Sequence, residues 1–363
     1  MAIFYLFFLG VKMKTETLLI LFASKSRFQR AKTIYNLLIG RRTVSNLFGA
    51  LNYGLLDYFD CFHGFKLNSV EEASKKLSKV GLVDTNEKFE IRLTARGLQK
   101  QKEIKKFVGE IAAFKTASRF DLITFSHRLI LAFQVVSEFS YSNQRYYPKS
   151  TSLFDETFIK AWFRNFKGQV DLPKIFSDFL KNFLAGLHND KKAMIFVNSL
   201  YGHEFSGKTI SQDAEDLKIK PAMVSLSLFQ AYCRIFQAAF NSTDDCLVAL
   251  TKGMTKPKIS ASSKATFELF QNQNMNSFQQ LASVRRIKLT TVKEHLLEAA
   301  IVFPKHEFPY KRLLTKSLIQ QLQAAFQTAD PTTEKFSEVK RKIPSLDFFY
   351  FRLFQIQYLK GIS

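Results

Sequence analysis

At 363 residues the chain is long enough for two or three domains with a core in each, and 46% apolar with 23% charged residues is ordinary for a soluble globular protein. Its 53 Lys plus Arg against 31 Asp plus Glu leave a formal net charge of +22, which points to a polyanionic partner such as nucleic acid or an anionic membrane surface. Three cysteines without a C-x-x-C pair and six scattered histidines support neither a disulfide framework nor a zinc site, so no metal or other cofactor is expected and the cysteine usage fits a reducing cytoplasm.

The opening MAIFYLFFLGVKMKTETLLILFAS is apolar but interrupted by Lys12, Lys14, Thr15 and Glu16. Its first run is about eleven residues, short of the roughly 20 that span a bilayer, so no membrane partner is expected. It lacks the basic start and small-residue cleavage site of a signal peptide. Met13 is therefore a candidate natural start, with residues 1–12 a leader. Helical apolar spacing continues through TIYNLLIGRRTVSNLFGALNYGLLDYF.

SVEEASKKLSKVGLV reads as a helix with Ser69 as its N-cap and Glu72 at the capping-box position. Phe89, Ile91 and Leu93 then alternate with polar residues after a turn at Thr85-Asn86, and Thr94 caps the helix ARGLQKQKEIKKFVGEI. Helix, short strand, turn, strand and helix make a winged-helix-like N-terminal domain over residues 13–105; the alternative is a hairpin isolated in a helical domain.

Residues 106–252 read as a helical domain with breaks at 143–152, 168–173 and 202–207. In IFSDFLKNFLAGL, Phe176, Phe179, Phe183 and Leu187 share one face, which marks the abundant phenylalanines as core rather than as stacking rings. Residues 202–209, GHEFSGKT, match the phosphate-loop pattern, whose glycines let backbone N–H groups approach phosphates and whose lysine reaches the terminal ones. AMIFVNSLY could be the strand before such a loop and TISQDAEDL the helix after it. The wider sequence has no magnesium-binding carboxylate after an apolar run and no alternating strand–helix series.

A second layout accounts for more of these residues. In ISQDAEDLKIKPAMVSLSL, Ala214 takes the small position of a helix-turn-helix, Leu217 and Ile219 the apolar sites around the turn, and Val224 the locking site, with Thr209 as cap. The phosphate-loop match then reads as accidental. Neither a catalytic residue nor a small-molecule substrate is assigned, and the chain is expected not to be an enzyme.

TKGMTKPKISASSK is rich in Lys, Ser and Pro, which marks residues 253–263 as a protease-sensitive linker to a C-terminal domain over 264–363. There SFQQLASVRRIKLTTVKEHLLEAAIVF repeats the helix-turn-helix layout: Ser277 caps, Ala282 is the small residue, Ile287 and Val292 are buried across the turn, and Leu296 continues the core face. Its second helix exposes Thr290, Thr291, Lys293 and Glu294 near the N-terminus, where recognition helices reach base edges. Arg285, Arg286 and Lys288 flank the turn and suit phosphate contacts. The candidate DNA-binding residues are therefore Arg285, Arg286, Lys288, Thr290, Thr291 and Lys293. A helix-turn-helix can equally be a structural or protein-binding element.

Residues 263–300, SKATFELFQNQNMNSFQQLASVRRIKLTTVKEHLLEAA, resemble the helicase helix-turn-helix module found at the C-termini of many bacterial RecQ-type helicases and in YpbB-like proteins. KFSEVKRKIPSLDFFYFRLFQIQYL resembles the closing segment of that module, and TIYNLLIGRRTVSNL and LTARG resemble the N-terminal part of YpbB-like proteins. The resemblance implies a non-enzymatic, DNA-binding companion of a RecQ-type helicase in repair or recombination, located in the cytoplasm at the nucleoid. Lys218 and Arg286 depart from the small residue common in such turns. A stand-alone transcription regulator and a P-loop NTPase are the alternatives. The expected fold is mostly α: a winged-helix-like unit, a central helical domain and a C-terminal helix-turn-helix domain.

Overall fold

The computed structural model describes residues 13–64, 69–149, 151–272, 277–327 and 329–362, so the expectation for residues 1–12 lies outside the described residues. The fold is mostly α-helical and divides into two compact units. One holds the described residues up to Gly40 together with Tyr58–Lys256; the other holds Arg41–Asp57 with the described residues from Pro257 onward.

The first unit begins with α1 (Thr15–Phe22), β1 (Gln29–Arg30) and α2 (Ala31–Leu38). The chain then contributes α3 (Val44–Asn52) to the other unit before continuing with α4 (Val70–Lys79), β2 (Val83–Thr85), β3 (Glu90–Leu93) and α5 (Ala95–Val108). The three strands form an antiparallel sheet in the order β1-β3-β2, with Gln29 opposite Ile91 and Val83 opposite Leu93. This is a winged-helix arrangement, and local chemistry accounts for it. Ser69 and Thr94 accept the backbone N–H groups of Glu72 and Gly97, capping α4 and α5. Asn86 accepts the N–H groups of Lys88 and Glu90, which tightens the wing. Ile91 and Leu93 point into the core while Glu90 and Arg92 face outward, the period-two pattern of a half-buried strand. Gly97 is required by packing, because a Cβ there would lie 1.9 Å from the carbonyl oxygen of Leu82.

The unit continues with α6 (Lys115–Arg119), α7 (Leu122–Ser140), α8 (Leu153–Phe166), α9 (Leu172–Ala185), α10 (Asp190–Val197), α11 (Ile210–Asp216), α12 (Pro221–Phe240) and α13 (Asp245–Leu250). α7 is long and apolar enough to cross a membrane by length and composition, yet 72% of its apolar 18-residue stretch is buried. It meets α12 through Phe125 and Phe236, 4.9 Å between ring centroids, and α9 through Phe133 and Phe176, 5.1 Å apart. Phe62, Phe114 and Phe229 form a second ring cluster. These phenylalanines are core.

Composition marks residues 253–263 as a linker, but Met254, Lys256 and Ile259 within it are held in place. Met254 and Ile259 are buried, and the Asp121 N–H donates to the Met254 carbonyl. Lys256 donates to the Asp60 carboxylate at 3.1 Å and to the Ala117 carbonyl at 3.0 Å. The change of unit falls between Lys256 and Pro257. A lysine that composition reads as a solvated charge is here a tether.

The second unit joins α3 to α14 (Ala261–Gln271), α15 (Phe278–Arg285), α16 (Leu289–Val302), α17 (Tyr310–Leu313), α18 (Lys316–Phe326), α19 (Phe336–Lys342) and α20 (Phe348–Ile362). α16 is its axis and packs against α3, α14, α15 and α20. Its buried Glu298 accepts the Ser260 N–H at 2.9 Å, the Ser263 hydroxyl at 2.7 Å and the Arg42 guanidinium at 2.8 Å. Burial pushes this carboxyl up, but those bonds together outweigh it and hold the group below the usual carboxylate value. The Arg352 guanidinium lies 3.7 Å from the Phe48 ring centroid, and burial lowers its pKa to about 10.

Candidate nucleic-acid interface

α15 starts with a reciprocal capping box: the Ser277 side chain accepts the Gln280 N–H, and the Gln280 side chain accepts the Ser277 N–H. Leu281 is fully buried beneath the helix. The helix stops at Arg286, which adopts the left-handed conformation at φ 53°, and the Ile287 N–H closes the turn onto the Ala282 carbonyl at 3.0 Å. Lys288 then begins α16 without a side-chain cap, and Val292 and Leu296, both fully buried, lock the second helix onto the core.

The six candidate residues divide into two groups. Arg286, Lys288 and Thr290 are exposed and Thr291 is half-buried; Arg286, Lys288 and Thr291 line a shallow depression with Ala282, Ser283 and Ile287. Arg285 instead turns inward: its guanidinium donates to the Thr266 hydroxyl and to the carbonyl and hydroxyl of Ser262, each at 3.3 Å. Lys293 forms an ion pair with Asp347. Burial raises the Asp347 carboxyl, but the bonds from Lys293 and the Phe349 N–H hold it below its usual value. Helical spacing places Arg285 and Lys293 correctly on their helices and gives no sign of these tertiary partners.

Sequence reasoning missed Ser283, one turn before Arg286, and the exposed apolar pair Val284 and Leu289 on either side of the turn. It also missed Glu298, whose place in an apolar run (EAAIV) is the signal that a carboxylate has buried partners. His295 packs against the Thr266 hydroxyl at 2.8 Å, and burial pushes its pKa down.

The central segment builds the same turn. Thr209 and Gln212 form a capping box, Lys218 sits at φ 53°, and the Ile219 N–H closes onto the Ala214 carbonyl at 2.9 Å. From Val224 to Cys233, however, every residue of α12 is buried.

The GHEFSGKT segment is not built as a phosphate loop. The residues before it form the helix α10, not a strand, and Gly202 and Phe205 pair in a tight antiparallel bridge. Gly207 has φ 69°, and a Cβ there would lie 2.6 Å from the Leu200 carbonyl oxygen, so its glycine is explained by packing. Lys208 forms an ion pair with Asp216 at 2.8 Å.

The chain matches a family described as a helix-turn-helix domain over residues 262–355. It is 25% identical to Protein YpbB of Bacillus subtilis (strain 168) over 231 residues, covering 62% of this chain and 62% of that protein. The chain thus spans less than two thirds of the length of this curated relative. No solved structure matches it.

Proposed function

We propose that the chain is a non-enzymatic DNA-binding accessory protein that works with a RecQ-type helicase in repair or recombination, in the cytoplasm at the nucleoid. The observation that carries the DNA reading is the exposed first turn of α16. Thr290 and Thr291 stand there beside Arg286 and Lys288, on a chain with a net charge of +22. Cations at the turn suit phosphate contacts, and short polar side chains at the helix start suit base edges. The helicase reading is supported by the resemblance of residues 263–300 to the helicase helix-turn-helix module.

Fluorescence anisotropy of the full chain on labelled duplex tests the first part. Arg286→Glu with Lys288→Glu should weaken binding to all sequences alike and lower the slope of log affinity against log salt by about 0.9 for each phosphate no longer neutralised. Unchanged affinity and slope in a folded variant would remove this face from the interface. Co-purification of the tagged chain with a RecQ-type helicase, and stimulation of its unwinding of forked DNA, test the second part. A strong preference for one short duplex sequence would favour a transcription regulator instead. ATPase activity stimulated by DNA and abolished in Lys208→Ala would favour a nucleotide-hydrolysing enzyme.

A further inference from the structure

The connection between α7 and α8 runs back along α7, and its backbone is pinned while its rings are left in water. The buried Gln134 carboxamide donates to the Tyr147 carbonyl at 3.1 Å and accepts the Lys149 N–H at 2.8 Å. Lys149 reaches the Tyr201 hydroxyl at 2.7 Å. Asn143 donates to Glu138 at 2.7 Å, and Tyr141 stacks on His203 with 4.4 Å between ring centroids. These restraints hold the loop at both ends, yet Tyr147 is 96% exposed, Tyr141 67% and Phe154, at the start of α8, 69%.

Rings held in water contribute little to folding, and two in this connection with a third at the start of α8 need another reason to be there. The charges beside them supply it. Arg145 is exposed between Tyr141 and Tyr147, and Lys160 and Arg164 are exposed on α8. The carboxylates of Glu138 and Asp155 are buried and bonded, the first to Asn143 and His203 and the second to His127 and Ser152, which leaves half-buried Glu156 and exposed Glu204 against the exposed cations. Exposed rings with cations beside them form the surface that single-stranded nucleic acid uses, its bases stacking on the rings and its phosphates meeting the cations.

We infer that Tyr141, Tyr147 and Phe154, with Arg145, Lys160 and Arg164, form a binding surface for single-stranded nucleic acid on the first unit. This surface is separate from the helix-turn-helix and does not depend on the reading proposed for it. The test uses the full chain with labelled oligothymidine and with labelled duplex. Tyr147→Ala with Phe154→Ala should weaken oligothymidine binding by about tenfold or more per ring. Duplex affinity and the melting temperature should not change, because both rings lie outside the core. Tyr147→Phe, which keeps the stacking face, should bind like the parent, and Arg286→Glu with Lys288→Glu should leave oligothymidine affinity intact. The inference is overturned if the parent does not bind oligothymidine, if the double alanine variant binds it as the parent does, or if its loss is equal on duplex. In each case the exposed rings would be better explained as a site for a protein.

Discussion

Residues 209–228 and 277–296 build the same turn twice. Thr209 corresponds to Ser277, Gln212 to Gln280, Ala214 to Ala282, Ile219 to Ile287, Lys220 to Lys288, Val224 to Val292 and Leu228 to Leu296, a constant offset of 68 residues. Both start with a capping box, both place a cation at φ 53° in the turn, and both bury the locking valine completely. The two part company in their second helices. α12 is buried at every residue from Val224 to Cys233; α16 carries Thr290, Lys293 and Glu294 and is buried without a break only from Leu296 to Ile301. Turn geometry is therefore common to both, and the two motifs differ in how far the second helix is buried and in the polar residues it carries.

The strongest challenge to this comparison is to charge the two locking sites. Val224→Asp and Val292→Asp each force a carboxylate into a fully buried position, at an expected cost of several kcal/mol. Each should unfold its own unit in a thermal melt followed by circular dichroism. A variant that melts like the parent would show that its valine does not lock the turn.

The next largest effect separates the two turns. Lys218→Glu with Lys220→Glu should leave duplex affinity and its salt slope unchanged, whereas the same reversal at Arg286 and Lys288 should lower both. Arg285→Ala should leave binding nearly unaltered, because that guanidinium is already held by Ser262 and Thr266. If the first pair matters as much as the second, the burial of α12 does not decide function.

Acid should act on the second unit through Glu298. Its folded carboxyl titrates below the ordinary value of 4.5, so its contribution is complete above that pH and is lost as pH falls toward the folded value. Glu298→Gln should flatten this part of the stability–pH curve while costing about 2 kcal/mol at neutral pH, since it weakens bonds to a charged acceptor. An unchanged slope below pH 4.5 would mean that another carboxylate sets it. The smallest effect concerns the turns themselves. Lys218→Gly and Arg286→Gly should each stabilise by up to about 1 kcal/mol, because glycine accepts the left-handed conformation without strain. Unequal shifts in denaturant midpoint would show that the two turns are less alike than their φ angles.

Much of the fold is legible in sequence because it is local. Ser69, Thr94, Thr209 and Ser277 cap the helices they precede, and alternation in the third strand marks the wing. Pairings that arise between distant segments are not legible. Nothing near Arg285 announces Ser262, nothing near Lys293 announces Asp347, and the composition around Lys256 conceals its bond to Asp60. The candidate interface was thus readable as a set of positions on a turn, while the partition between outward and inward cations needed the packed structure.

The segment carrying α3 has a consequence for synthesis. α3 leaves the ribosome about 240 residues before α16, which at roughly 5–20 residues per second is a wait of about ten to fifty seconds. Through that interval Leu47, Phe48 and Ala50 have no partner helix to cover them, and Arg42 has no Glu298 to meet. The second unit is therefore begun early and left with an uncovered apolar helix. Its completion depends on the last third of the chain, so a ribosome that stops early leaves a sticky helix rather than a finished domain.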